Sequence, residues 1–220
     1  MQVVWYFDFI SPFAYLQREA LAGLPDEIEI TYRPVLFAGL LNHWGHKGPA
    51  EIPAKRLHTY RLCCWLAERR GIPFTMPPAH PFNPLKALRL ALALDARGEV
   101  IGEIFRFLYA AGGDLENVAE WNGLTVRLGL EPAAAEAKIS DPEIKQLLKR
   151  NTDAALADGV FGVPTLIAEG ELFWGVDTTE MFVDWLGDRE SFAAGEFSHI
   201  MDLPVGARRN RTWPDRRFTR

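Results

Sequence analysis

Only two cysteines occur in the 220 residues, and they stand side by side as Cys63-Cys64. So low a count excludes a disulfide-stapled scaffold, and adjacent placement lacks the C-x-x-C spacing of a redox pair. Long apolar runs are missing too: stretches such as Leu88 to Leu94 fall well short of the roughly 20 residues that span a bilayer. No basic segment precedes the strand-like Val3-Val4-Trp5-Tyr6-Phe7, as a secretory leader requires. These absences point to a cytoplasmic protein with no membrane partner, its cysteines free thiols in a packed helix beside Leu62, Trp65 and Leu66. The five histidines, His43, His46, His58, His80 and His199, show no i, i+4 pair and no acidic partner at ligand spacing, so no metal site is expected.

What is present is ordinary for a globular chain: 48% hydrophobic, 12% aromatic and 24% charged residues. That argues against disorder, and the length suffices to bury a core without staples. The net charge of −5 is uneven, because Arg208 to Arg220 holds six arginines against one aspartate, a local +5 that leaves −10 for the preceding 207 residues. An acidic body excludes a nucleic-acid binder as the main reading, and the tail reads as a solvated or surface-docked extension.

Residues 2–9 read as a buried strand. Ser11-Pro12 then marks a helix start running to about Leu21, since serine is a favoured N-cap and proline a favoured first helical residue. After a turn at Pro25-Asp26, residues 28–35 alternate as a second strand, and a β-α-β opening places the two strands parallel. From about 36 to 155 the pattern is helical, with a polar, glycine-containing stretch from Asn42 to Pro49 and helices expected over 53–70, 84–96, 99–112, 114–128, 131–137 and 141–157. Asn83-Pro84, Asp114 and Asp141 read as helix starts; Gly71, Gly98 and Gly129 as stops. A strand over 160–167, an antiparallel partner at Leu172–Gly175 joined by Glu169-Gly170, and a helix from Asp177 to Leu186 close the chain. The order predicts an α/β, thioredoxin-like fold with a large all-helical insertion: residues 1–40 and 158–200 as the thioredoxin-like domain, 41–157 as the insertion, 201–220 as a basic extension.

Three distant segments carry chemistry in such a fold. Ser11 stands at the carboxyl end of the first strand, where open α/β sheets place ligand crevices, and its hydroxyl and the helix N-terminus both favour an anion. A redox thioredoxin would have cysteine here; this chain has Ser11, and Ala14 at the partner position. Serine cannot cycle through a disulfide, but its hydroxyl can hydrogen-bond a borrowed thiolate and lower that thiol's pKa. A nucleophilic Ser11 needs a base, and no histidine is visibly tied to this segment; a plain N-cap is the simplest alternative. In Gly162-Val163-Pro164-Thr165 the proline fits either an edge strand or a strand start facing a ligand, possible as a cis bond, with the Val163 backbone free to pair with a short peptide. Asp177 and Glu180 fit a capping box, or Val176, Asp177 and Thr178 form a dock for a γ-glutamyl group.

Tyr6-Phe7-Asp8-Phe9-Ile10-Ser11-Pro12-Phe13-Ala14-Tyr15, Phe161-Gly162-Val163-Pro164-Thr165 and Phe173-Trp174-Gly175-Val176-Asp177 together resemble the 2-hydroxychromene-2-carboxylate isomerases, which are similar to the kappa-class glutathione transferases and the DsbA-like thioredoxin proteins. The resemblance spans residues 1 to about 190. It implies a glutathione-dependent homodimer in which Ser11 activates the glutathione thiol and Phe13, Val163, Pro164, Val176, Asp177 and Thr178 hold the peptide, with Lys55 on the glycyl carboxylate. Gly45-His46 stands where kappa members have Gly-Asn, and Leu41 where the naphthalene-pathway isomerase has a lysine. His46 and Asn83 are candidate walls of the pocket for a small-molecule substrate, as are Tyr60, Arg61, Phe82 and Arg89, with Trp65 assigned to core packing. The implied activity is cis-trans isomerisation of a conjugated aromatic keto acid or its cyclic hemiketal. Glutathione transfer to small electrophiles and a non-catalytic thioredoxin-like binding module remain open, with disulfide exchange ranked below both.

Overall fold

A computed structural model describes residues 1–25 and 27–207. Asp26 of the expected turn and the arginine-rich tail from Arg208 onward lie outside the described residues. Two units divide the chain, Met1–Phe182 and Val183–Arg220.

The first unit is built on a four-stranded sheet of order β2-β1-β3-β4. Strand β1, Gln2–Phe7, runs parallel to β2, Glu29–Pro34, as the β-α-β opening requires. On its other side β1 pairs antiparallel with β3, Thr165–Ala168, which forms a hairpin with β4, Glu171–Trp174, through Glu169-Gly170. Strand β1 is shorter than the expected 2–9 because Asp8 turns its carboxylate back to accept the Ile10 N–H at 3.1 Å, bending the chain before Ser11.

Both faces of β1 are covered, which explains its unbroken apolar run. On one face Trp5 stacks on Phe7 at 4.5 Å, and Phe9 meets Phe105 at 4.7 Å. Each such fully buried aromatic contributes about 1.5–3 kcal/mol. On the other, Tyr6 packs with Val35, Leu40, Ala155, Val160 and Val163.

Helix α1, Pro12–Leu21, follows β1. Between β2 and β3 come α2, Phe37–Trp44; α3, Pro53–Arg70; α4, Leu85–Ala93; α5, Gly98–Phe105, continued by a π-turn at Arg106–Ala110; α6, Val118–Arg127; α7, Pro132–Ser140; and α8, Pro142–Ala157. Asp141 caps α8 and Asn83 accepts the Leu85 N–H at the start of α4, as expected. Four readings are corrected. Helix α6 starts from Asn117, whose side chain caps it, while Asp114 only closes a local turn onto Glu116. Gly98 opens α5 rather than closing α4; the intervening bend uses Asp95 and Ala96 at positive φ. Helix α2, absent from the expected helices, runs three residues into the stretch from Asn42 to Pro49 that reads as polar loop. Trp65, expected in the core, is exposed beneath the Arg69 guanidinium, 5.4 Å from its ring. Of the two thiols, Cys63 is buried and Cys64 exposed.

Helix α9, Thr179–Gly187, leaves the hairpin. In the second unit Asp188 caps α10, Arg189–Phe192, and Phe192 meets Phe197 of α11, Gly195–His199, at 4.6 Å. Among the described residues no helix is long and apolar enough to cross a membrane.

Candidate active site

Ser11, 8% exposed, caps α1 from an extended backbone conformation, and its Oγ accepts the Ala14 N–H at 3.3 Å. The hydroxyl points toward the Val163 carbonyl oxygen, but at 3.5 Å the approach is too long for a strong O–H···O bond. The hydroxyl proton is therefore available to a better acceptor. Beside it the Phe13 N–H, second in the helix and half-buried, has no acceptor among the described residues, as helix starts leave their first donors unpaired.

Val163 precedes Pro164 through a cis peptide bond, and both are buried. Pro164 directly precedes β3, an interior strand, so the edge-strand reading is set aside. Sheet pairing begins only at Thr165, and the Val163 N–H finds no acceptor among the described residues. A Cβ at Gly162 would lie 2.4 Å from the Trp174 Nε1, so a larger residue there has to displace the exposed Trp174 ring.

The third segment is tied to the second by the Gly175 N–H, which donates to the Pro164 carbonyl at 2.9 Å. It is tied to α1 by Gln17, fully buried, which donates to the Gly175 carbonyl at 2.8 Å and to Thr179 Oγ1 at 3.1 Å while accepting from Trp5 Nε1 at 2.7 Å. Gly175 holds φ +97, and a Cβ would meet Asp177 Oδ1 at 2.3 Å, so only glycine fits. Val176–Thr178 form one 3-10 turn. The capping box does not form: α9 starts at Thr179, and the exposed Asp177 carboxylate has no partner among the described residues. Thr178 commits both its N–H, at 3.3 Å, and its hydroxyl, at 3.0 Å, to the Gly175 carbonyl. The N–H groups of Val176 and Asp177 stay unpaired among the described residues.

Ser11, Phe13, Val163, Pro164 and the 175–178 turn thus form one connected site. Lys55 is exposed in the first turn of α3. His46 is exposed just beyond α2, where its N–H closes the helix onto the Leu41 carbonyl at 2.9 Å. Asn83 is exposed and spends its Oδ1 on the start of α4. No hydrogen bond connects these three to Ser11.

Asp8 and, from the insertion, Tyr109, His80 and Tyr60 are neighbours that the sequence pattern does not disclose. Asp8, wholly buried two residues before Ile10, accepts the Phe37 N–H at 2.8 Å and gives its carbonyl to the Ser11 N–H at 3.0 Å. Burial pushes its carboxyl from 3.8 up to about 7, against the opposing pull of the Phe37 and Ile10 N–H groups. Tyr109 donates to the Phe9 carbonyl at 2.9 Å, and His80 bonds the Ile10 carbonyl through Nε2 at 2.7 Å. A carbonyl can only accept, so Nε2 carries the proton. The His80 Nδ1 lies 2.6 Å from the Tyr60 hydroxyl, and burial holds the imidazole pKa below its ordinary value despite the Ile10 bond. A histidine is thus bound to this segment after all, but both ring nitrogens are engaged elsewhere and neither serves Ser11 as a base.

A thioredoxin-type sheet, a cis-proline beside a helix start, and serine in place of the attacking cysteine define a member of the thioredoxin superfamily without redox cysteines at its site. More narrowly, the profile of the DSBA-like thioredoxin domain matches residues 2–187, and the chain belongs to that family. It is 26% identical over 206 residues to glutathione S-transferase kappa 2 of Caenorhabditis elegans, covering 84% of this chain and 92% of that protein. To the 2-hydroxychromene-2-carboxylate isomerase of Sphingobium xenophagum it is 27% identical over 194 residues, covering 84% and 97% respectively. A solved 2-hydroxychromene-2-carboxylate isomerase superposes with a TM-score of 0.76 at 23% identity, over 87% of this chain and 97% of that one. The thioredoxin-like fold with its helical insertion follows.

Proposed function

We propose that this chain is a glutathione-dependent cis-trans isomerase of the 2-hydroxychromene-2-carboxylate isomerase type, with Ser11 stabilising the glutathione thiolate. The observation that carries the reading is the Ser11 hydroxyl, whose proton has no strong acceptor and which lies beside the unpaired Phe13 N–H at the start of α1. Relatives named as isomerases and as glutathione transferases support it.

The unpaired donors and acceptors fit the tripeptide along its length. Ser11 and the Phe13 N–H face the sulfur; the Val163 N–H and carbonyl pair strand-fashion with the cysteinyl unit. Asp177 takes the γ-glutamyl ammonium, the Val176 and Asp177 N–H groups its carboxylate, and Lys55 the glycyl carboxylate. Bound there, glutathione supplies a nucleophilic sulfur that adds reversibly to a conjugated keto acid and frees a former double bond to rotate. Ser11 lowers the charge cost of the thiolate, and Asp8, neutral below about pH 7, keeps a competing negative charge away from it. His46 and Asn83 wall the pocket for the acid.

Ser11→Ala tests the reading. Glutathione binding by calorimetry should persist while turnover falls by roughly 10- to 100-fold, the worth of one hydrogen bond to a charged group. Undiminished turnover contradicts the assigned role. The relative named as a kappa glutathione transferase favours a second reading, conjugation of small electrophiles. Product analysis separates the two, since a transferase consumes glutathione stoichiometrically and an isomerase returns it.

A further inference from the structure

One titratable pair is left unused by the chemistry of Ser11, Val163 and Asp177. His80 bonds the Ile10 carbonyl, which shares a planar peptide unit with the Ser11 N–H, and Tyr60 stands behind the imidazole. With Nε2 donating to Ile10 at 2.7 Å, a neutral Nδ1 can only accept, and the Tyr60 hydroxyl at 2.6 Å is its donor. The same hydroxyl also lies 2.9 Å from the His80 carbonyl, so its one proton has two acceptors within reach. When Nδ1 gains a proton it becomes a donor to the Tyr60 oxygen, and the hydroxyl proton turns to the His80 carbonyl. Both charge states of the ring therefore keep every hydrogen bond, including the one to Ile10.

The surroundings favour His80 as the group that responds to charge at Ser11. Asp8 and Tyr109, the other titratable groups bonded to residues 9–11, are wholly buried, whereas His80 and Tyr60 keep part of their surface and can exchange protons with solvent. From α3, Arg56 and Cys63 act on the Tyr60 hydroxyl, and Phe82 meets the imidazole edge-on with ring centroids 5.8 Å apart. Among the described residues no carboxylate bonds the ring, and burial holds its pKa below the ordinary value. A negative charge beside Ser11 opposes that burial effect.

We infer that His80 and Tyr60 are a proton-linked positioning pair for the Ser11 site: a thiolate bound at Ser11 draws a proton onto His80 Nδ1, and Tyr60 re-aims its hydroxyl to admit it. The inference rests on the glutathione reading and deepens it. Protons balance, because the thiol gives its proton to solvent and Nδ1 takes one from solvent. Linkage is reciprocal, so the imidazolium lowers the thiol pKa as much as the thiolate raises that of His80. For unit charges roughly 10 Å apart in partly solvated protein the shift is about one unit. The pair thus extends the ionised thiol toward acid pH.

Imidazole NMR titration of the full chain, free, with glutathione and with S-methylglutathione, tests it, while amide shifts at Val163 and Gly175 report binding. The His80 pKa should rise by about one unit with glutathione and stay in place with S-methylglutathione, which has no thiol to ionise. Tyr60→Phe should shrink the rise to less than about half, because the imidazolium loses the acceptor for its new N–H. His80→Gln, which keeps an N–H for Ile10, should raise the thiol pKa of bound glutathione, read by thiolate absorbance, by up to about one unit. A merely structural pair lowers stability in these variants and leaves both titrations where they were. A His80 pKa that does not move in the glutathione complex, or that rises equally with S-methylglutathione, overturns this inference while leaving the glutathione reading intact. Absence of amide shifts at millimolar glutathione overturns both.

Discussion

Asp8 and Ser11 are three residues apart and carry opposite kinds of information. The Asp8 carboxyl, raised by burial from 3.8 to about 7, holds its proton more tightly in the folded chain than in the unfolded one. Its contribution is therefore fully present below about pH 4 and is lost as pH rises toward about 7, a change of up to about 4 kcal/mol. Asp8→Asn keeps the shape and removes the titration. Urea unfolding over this range should show the stability of the native chain relative to the variant falling as pH rises; a difference flat with pH contradicts the assignment. Ser11, Pro164 and Asp177 were legible in the sequence because each residue type is conspicuous in its place: serine at a cysteine position, proline ahead of a core strand, aspartate after Trp174-Gly175. Asp8 lies within the same motif, and its signal was a lone carboxylate between Phe7 and Phe9. His80 and Tyr109 gave none, since they reach residues 10 and 9 from 70 and 100 positions away, and Tyr60 acts only through His80.

Helix α1 is held in register with the 175–178 turn by one side chain. Gln17→Leu fits the buried space but leaves the Trp5 indole N–H unpaired and removes the bond that ties the Gly175 carbonyl to α1, leaving that carbonyl only its Thr178 donors. The expected loss is about 2–4 kcal/mol by chemical denaturation, with weaker glutathione binding, because Val176 and Asp177 shift against Ser11. A variant as stable as the native chain with unchanged affinity contradicts the coupling. Helices that open on a proline, α3 at Pro53 with its Gly71 stop and α8 at Pro142 behind the Asp141 cap, were readable to within a residue or two. Helix α2 escaped because it is eight residues long, follows Leu36, which offers no side-chain cap, and ends in Asn42-His43-Trp44, a loop-like composition. Gly98 misled because glycine more often ends a helix than begins one.

Across the first unit, the helical insertion does more than roof the sheet, because it hydrogen-bonds the backbone leading into Ser11 at two successive carbonyls. Tyr109→Phe deletes one donor and leaves the buried Phe9 carbonyl unpaired, which should cost about 1–3 kcal/mol in thermal unfolding and lower kcat more than glutathione affinity. Full activity in a destabilised variant would make Tyr109 purely structural. His80 acts in the opposite pH sense to Asp8: burial depresses its pKa, so the stability its neutral form contributes is present above ~6.5 and is lost as pH falls from there toward the depressed value. The β-α-β opening and the closing hairpin were legible from alternation and turn residues. The antiparallel placement of β3 against β1 was not, because no local pattern records which strand a distant segment will join. Fold and site converge on whether the Ser11 hydroxyl holds a thiolate. Titrating the thiolate absorbance of glutathione bound to the native chain and to Ser11→Ala measures this directly. The native complex should titrate about one to three units below free glutathione, and the variant should lose most of that shift. An unshifted thiol in the native complex, or the same shift without the hydroxyl, would contradict it.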